Sequence, residues 1–157
     1  MITLQPAETP HHVELARELL WEYVSLPHVA GRWIDIEAEI AGMPGAYAPP
    51  GGVILLAMDG KDPVGCGCLR PFDEPGVCEM KRLFVRPAAR RRGVGEMLVR
   101  SLVHHALGLR YITMKLDTAP ELSAARALYR RLGFREIPHY RSGLPNDSVC
   151  YELHLTA

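Results

Sequence analysis

The chain has 157 residues, 48% of them apolar and 23% charged, the balance of a globular domain long enough to bury a sizeable core. Eighteen basic residues offset eighteen acidic ones, which speaks against a dedicated nucleic-acid binder yet leaves a local anion site open. There is no apolar run of about 18 residues to span a membrane, and the opening MITLQPAETPHH lacks the basic and apolar regions of a secretory leader, so a cytoplasmic protein without nucleic-acid or membrane partners is expected.

Met1 to Gln5 reads as a short strand, broken by Pro6 and Pro10. From Pro10 to Val24 apolar residues fall at Val13, Ala16, Leu19, Leu20 and Tyr23, a helical spacing. A second helix is expected over Arg32 to Ile40, with Trp33, Ile36 and Ile40 on one side. The Pro- and Gly-rich stretch from Gly42 to Gly52 must be a loop. Gly52 to Met58, Pro63 to Leu69 and Val77 to Val85 read as three strands of a meander, with turn signals at Asp59-Gly60 and at Asp73 to Gly76. Beyond Pro87 the period changes: Val94, Met97, Leu98, Leu102 and Ala106 mark a helix, with Gly108 as its stop. A strand at Tyr111–Asp117, a helix at about Glu121–Leu132 closed by Gly133, and strands at Phe134–Ile137 and Ser148–Leu155 complete the order β-α-α-β-β-β-α-β-α-β-β. That order is an α+β or mixed α/β domain.

The four cysteines, Cys66, Cys68, Cys78 and Cys150, form no C-x-x-C pair, and alternation along a strand puts Cys66 and Cys68 on one face. Reduced thiols and no metal are expected, since the seven histidines show no ligand spacing either.

Between the third meander strand and the next helix lies Leu83-Phe-Val-Arg-Pro-Ala-Ala-Arg-Arg-Arg-Gly-Val-Gly95. A helix start offers free backbone N–H groups and a partial positive charge. Gly93 and Gly95 let the backbone come close to a ligand, and Arg90, Arg91 and Arg92 add guanidinium donors at the same point. Together these describe a diphosphate cradle. Neither the Walker loop nor the dinucleotide fingerprint is present; the latter would require glycine at Leu98.

Arg90-Arg-Arg-Gly-Val-Gly95 resembles the R/Q-x-x-G-x-G/A pyrophosphate loop of the GNAT acetyltransferases, and Val85-Arg86-Pro87 resembles the V-x-P that precedes it. Ala125-Arg-Ala-Leu-Tyr-Arg-Arg-Leu-Gly-Phe134 is similar to the family's A-x-x-L-Y-x-x-x-G-F signature, so the likeness runs from about Val77 to Phe134. It implies a single domain over 1–157: a mixed, mostly antiparallel twisted sheet flanked by helices, with the fourth and fifth strands splayed to admit the pantetheine arm of acetyl-CoA. By the same resemblance Leu83, Phe84 and Val85 would bind pantetheine through their backbone, one N–H near Leu83 or Phe84 would stabilise an oxyanion, and Arg90, Arg91, Arg92, Gly93, Val94 and Gly95 would hold the pyrophosphate. Tyr129 would be the general acid, and Glu79, in a position where some members carry a glutamate, the general base.

Alternation places Glu79 with Lys81, Leu83 and Val85 on one face, and a carboxylate half-buried in a cleft is expected to have a raised pKa. Tyr129 is expected off the centre of its helix's apolar stripe. Leu122 stands where the family often has an asparagine that contacts the cofactor, and Arg91 where it often has glycine. The acceptor site is expected to draw on Trp33, Glu37, Tyr47 and Tyr140, with Asp35, Glu39, His139 and Arg141 near them; acidic residues there would suit a cationic amine. The implied activity is N-acetylation of a small-molecule or protein amine in a ternary complex by a monomer or homodimer. A non-catalytic acyl-CoA sensor of the same fold, or an anion or nucleic-acid binder using Arg86 to Arg92, are the alternatives.

Overall fold

The computed structural model describes residues 1–32 and 35–156. Its elements are β1 (Ile2–Pro6), α1 (Pro10–Val24), α2 (Ile36–Ala41), β2 (Val53–Asp59), β3 (Asp62–Pro71), β4 (Val77–Val85), α3 (Val94–Gly108), β5 (Thr113–Thr118), α4 (Ser123–Arg131), β6 (Arg135–Ile137) and β7 (Val149–His154). The order is the one the periodicities predict. The second helix begins at Ile36 rather than Arg32, and Trp33 lies outside the described residues.

One seven-stranded sheet runs β1-β2-β3-β4-β5-β7-β6. Every neighbouring pair is antiparallel except β4 and β5, which are parallel. Helices cover both faces. α1 and α2 bury Ala16, Leu19, Leu20, Ile36 and Ile40 against Ile54, Leu56, Cys66, Cys68 and Phe84. α3 and α4 bury Val94, Leu98, Leu102 and Tyr129 against Leu55, Cys78, Met80, Met114 and Leu116. This explains why Val53 to Met58 is apolar without alternation: β2 is covered on both sides. α1 starts where the Thr9 hydroxyl accepts the His12 N–H at 3.1 Å and Pro10 supplies a preset φ. α3 lies close on β3 because Gly67 has no side chain; a Cβ there would stand 2.9 Å from Leu102 Cδ1.

All four thiols are free and buried, and Cys66 and Cys68 do share a face. Burial pushes Cys66 and Cys78 up to about 12 and Cys150 up to about 11.

The decisive local event is in β4. Cys68 pairs with Lys81 but Cys66 pairs with Phe84, so β4 carries one residue more than β3 across this interval. Arg82 absorbs it with φ at 60°, the left-handed conformation of a bulge. The bulge shifts the alternation by one: Glu79, Lys81 and Phe84 face α1 and α2, while Cys78, Met80, Leu83 and Val85 pack towards α3 and α4. The expected common face for Glu79, Leu83 and Val85 is therefore corrected. Strict period two holds only as far as Lys81.

Candidate active site

β4 and β5 pair at Val77–Thr113, Cys78–Met114 and Glu79–Lys115, and no further. Beyond that point they separate, and a cavity of about 700 Å³ opens between and beside them. Met80 to Val85 form one wall, Leu116 to Ala119 the other. The expected splay is present, at the expected strands.

At the α3 end the cavity is bounded by Arg90, Arg91, Gly93, Val94, Gly95 and Glu96. Gly93 sits at the N-cap with φ at 75° and no side-chain cap, so the first-turn N–H groups of α3 are left for another acceptor. A Cβ built on Gly93 would meet nothing within 4 Å, which leaves room for a bulky anion against the helix start. Arg91 also adopts a left-handed φ, 66°, in the place where glycine is frequent, and its side chain is exposed. Arg90 Nε donates to the Val85 carbonyl at 3.2 Å.

Arg92 corrects the sequence reading: it does not line the cavity but pairs with Asp59 Oδ2 at 2.9 Å. Arg86 likewise turns away, to Glu22. Glu96, an acid at the cradle, is neutralised by Arg131 at 2.6 Å and Arg100 at 3.0 Å.

Tyr129 lines the cavity from α4, as do Leu122, Ala125 and Leu128. Contrary to expectation it is also the one buried residue of α4. Its ring packs on Phe134 and Tyr151, with centroids at 5.7 and 5.8 Å. Burial raises its pKa, so the phenol stays protonated and remains a proton donor at neutral pH.

Glu79 is in a different situation from the one expected. It is 1% exposed, and it accepts hydrogen bonds from the Tyr140 hydroxyl, from Arg70 Nε at 2.9 Å and from Arg141 Nε at 3.1 Å. Burial alone would raise its pKa, but Lys81, Tyr140, Arg70 and Arg141 outweigh burial and leave it below the usual carboxylate range. A carboxylate held in its ionised form by this many donors is a poor proton acceptor. Nor does it line the cavity.

Three more expectations change, two of them because the side chains are spent on structure. Tyr140 is bonded to Glu79 and packed edge-on against Phe72 at 5.4 Å. Tyr47 is buried in the α1/α2 core and donates to Glu39 Oε2 at 2.9 Å. Glu37 is exposed on α2, away from the cavity.

On the α1/α2 side the cavity is walled instead by Tyr23, Leu26, His28, Val29 and Arg32, with Lys81, Arg82, Asp117 and Thr118 from the strands. Arg32 closes one edge by bonding Asp147 at 2.8 Å and Ser148 Oγ at 3.3 Å. Lys81 and Asp117 are joined at 3.0 Å across the mouth of the splay, 2% and 1% exposed. Nothing in the sequence singles this pair out: β4 also holds Glu79 and Arg82, and β5 alternates polar with apolar residues.

Comparison with known proteins agrees with this geometry. The model of the Acetyltransferase (GNAT) family matches residues 12–134. An uncharacterized N-acetyltransferase of Schizosaccharomyces pombe is 33% identical over 147 residues, covering 92% of this chain and 90% of that protein. The N-acetylaspartate synthetase of Homo sapiens is 30% identical over 89 residues, 57% of this chain and 30% of that one. Among solved structures, a GNAT-family acetyltransferase from Staphylococcus aureus superposes with a TM-score of 0.84 at 20% identity, covering 99% of this chain and all of the other. An acetyltransferase from Salmonella typhimurium, solved with its cofactor acetyl-CoA, gives 0.78 at 21%, covering 99% and 94%. No helix among the described residues is long and apolar enough to cross a membrane. With a family model over most of its length, a full-length relative and a splayed β4/β5 sheet, the chain belongs to the GNAT acetyltransferase family and is an acyl-CoA-dependent N-acyltransferase.

Proposed function

We propose that this enzyme moves an acetyl group from acetyl-CoA to a primary amine of a small molecule or peptide, by direct attack within a ternary complex on one domain spanning 1–157. The observation that carries this reading is the single cavity that joins a helix-start anion cradle to a gap between separated strands, with a protonated phenol beside it.

The parts have distinct tasks in this reading. The N–H groups of Gly93, Val94 and Gly95, with the side chains of Arg90 and Arg91, take the pyrophosphate. Leu83, Phe84 and Val85 offer backbone to the pantetheine arm along the open edge of β4. Holding both reactants in one cavity removes most of the entropic cost of their encounter. The Tyr129 hydroxyl protonates the departing thiolate. The acceptor comes in from the other face of the sheet, past Tyr23, His28, Val29 and Arg32.

Calorimetric titration with acetyl-CoA, CoA and ATP at moderate salt tests the cofactor half, followed by a thiol-release screen over a panel of amines. One-site binding of acetyl-CoA that is weakened in Arg90→Ala supports the reading. Equal affinity for ATP and acetyl-CoA, or no thiol release with any amine, overturns it.

A further inference from the structure

With Glu79 locked into its cluster of donors, the reaction as proposed above still needs a group that removes a proton from the acceptor. The cavity holds one buried titratable pair that no part of the cofactor cradle uses: Lys81 on β4 and Asp117 on β5.

Its position is specific. Met80 and Leu116 point to the α3/α4 face together with Tyr129, so their neighbours Lys81 and Asp117 project to the opposite, α1/α2 face. They meet two residues beyond Glu79–Lys115, the last hydrogen-bonded pair of β4 and β5. The gap thus has a phenol on one side of the sheet and an amine–carboxylate pair on the other. An acyl group held in the gap would lie between a proton donor and a proton acceptor.

We propose that Lys81 is the general base of the reaction, taking a proton from the acceptor ammonium, and that Asp117 is the residue that positions it. With neutral Lys81 beside Asp117, an incoming R–NH3⁺ occupies the place of the missing positive charge. One N–H bond of the acceptor breaks and one forms at Lys81 Nζ. The charge beside Asp117 is the same before and after, so no additional charge is buried in the step. The freed nitrogen lone pair attacks the thioester carbonyl carbon and the C–S bond breaks. The thiolate takes the Tyr129 proton. The second proton lost by the acceptor nitrogen restores Tyr129 by way of solvent, and Lys81 returns its own to water. One proton is released per turnover, as the conversion of an ammonium and a thioester to an amide and a thiol demands.

The surroundings suit the task. Burial, with Arg82 beside it, outweighs the pull of Asp117 and Glu79 and brings the Lys81 ammonium down to about 8. Tyr23, His28 and Arg32 face the same space from the end of α1 and the segment after it. From β7 the Ser148 hydroxyl reaches Asp117 Oδ2 at 3.5 Å. A base with a pKa close to the working pH is both available in its neutral form and strong enough to accept a proton.

The chain has only three lysines, Lys61, Lys81 and Lys115, so side-chain nitrogen resonances of ¹⁵N-lysine-labelled protein resolve them, and their loss in Lys81→Arg assigns the one of interest. A Lys81 titration near pH 8 is expected; a midpoint above pH 10, where an ordinary lysine titrates, overturns the proposal. In the amine assay Lys81→Arg keeps the positive charge but cannot become neutral. It is expected to lose roughly 100-fold in kcat/KM, with acetyl-CoA affinity within about twofold of the wild type. The wild-type rate should rise with pH through the Lys81 midpoint, and Asp117→Asn should shift that rise to lower pH, because the carboxylate raises the Lys81 value. A merely structural pair would leave the profile in place. If Lys81→Arg does not melt cooperatively, the doubly neutral Lys81→Gln/Asp117→Asn replaces it, with the same loss expected. Lys81→Arg, or its substitute, with wild-type rate and profile overturns the assignment alone. A wild type that releases no thiol with any amine overturns the acyl-transfer reading as well.

Discussion

Arg82 and Glu39 face each other through two hydrogen bonds, Nε to Oε2 at 2.8 Å and Nη2 to Oε1 at 3.0 Å, so the one extra residue of β4 is fastened to α2. The Tyr47 hydroxyl donates to the same carboxylate at 2.9 Å. The bulge that brings Phe84 onto the same face as Lys81 is thus held from outside the sheet. Glu39→Gln keeps the shape but removes the charge. It is expected to destabilise the fold by about 2 kcal/mol, a loss of roughly 4–8 °C in melting temperature. An unchanged midpoint would show that the bulge stands without this pair.

The two left-handed residues before α3 should respond in opposite ways. Arg91→Gly removes a Cβ from a φ of 66° and is expected to be neutral or stabilising by up to about 1 kcal/mol. Gly93→Ala adds one at 75° and should cost about 1 kcal/mol. Its Cβ also projects into the open space at the helix start, so acetyl-CoA affinity should fall by tenfold or more, on the order of 1.4 kcal/mol. Chemical denaturation and calorimetry separate the two effects. Equal acetyl-CoA affinity in Gly93→Ala and wild type would move the anion away from this helix.

Tyr129→Phe removes a single oxygen from a ring packed on Phe134 and Tyr151. Packing is preserved, so the melting temperature and the acetyl-CoA dissociation constant should hardly change. Turnover should fall by about 100-fold or more. Full activity in this variant would remove the phenol from the mechanism.

Glu79→Gln tests the structural assignment of that residue. The folded-state pKa lies below the ordinary 4.5, so the ionised carboxylate contributes stability that is fully present above 4.5 and lost as pH falls through the folded value. Near neutrality the variant removes the counter-charge that Glu79 gives Arg141, leaves Arg70 only its longer contact to Glu39 at 3.7 Å, and should be less stable by about 3 kcal/mol. The gap between variant and wild type should close as the solution is acidified below the usual glutamate value. Urea unfolding at a series of pH values measures it, and a gap independent of pH would contradict the assignment.

Much of this protein could be read from its residues because each signal is local. Val94 to Ala106 repeats at the helical period, Asp59-Gly60 is a turn, and the segment that meets the cavity at Arg90, Arg91, Gly93, Val94 and Gly95 is continuous in sequence. The surroundings of Glu79, Tyr140 and Tyr47 are less legible because their partners lie on other elements. Tyr140 and Glu79 are 61 residues apart, and Tyr47 reaches a glutamate on another element. Composition alone does not say whether an aromatic or an acid is bonded to a neighbour or turned to a ligand. The bulge at Arg82 is a third kind of case. One residue in a left-handed conformation reverses every later side chain of β4, and nothing in the pattern Cys78-Glu-Met-Lys-Arg-Leu-Phe84 marks where the alternation slips.

The buried cysteines have a practical consequence. With Cys66, Cys68, Cys78 and Cys150 all inside the folded chain and their thiols shifted well away from ionisation, the native protein should be nearly inert towards thiol reagents. A colorimetric reagent that counts free coenzyme A would then register product over a silent background. Any slow rise in an enzyme-only control would time the moments at which the core comes open.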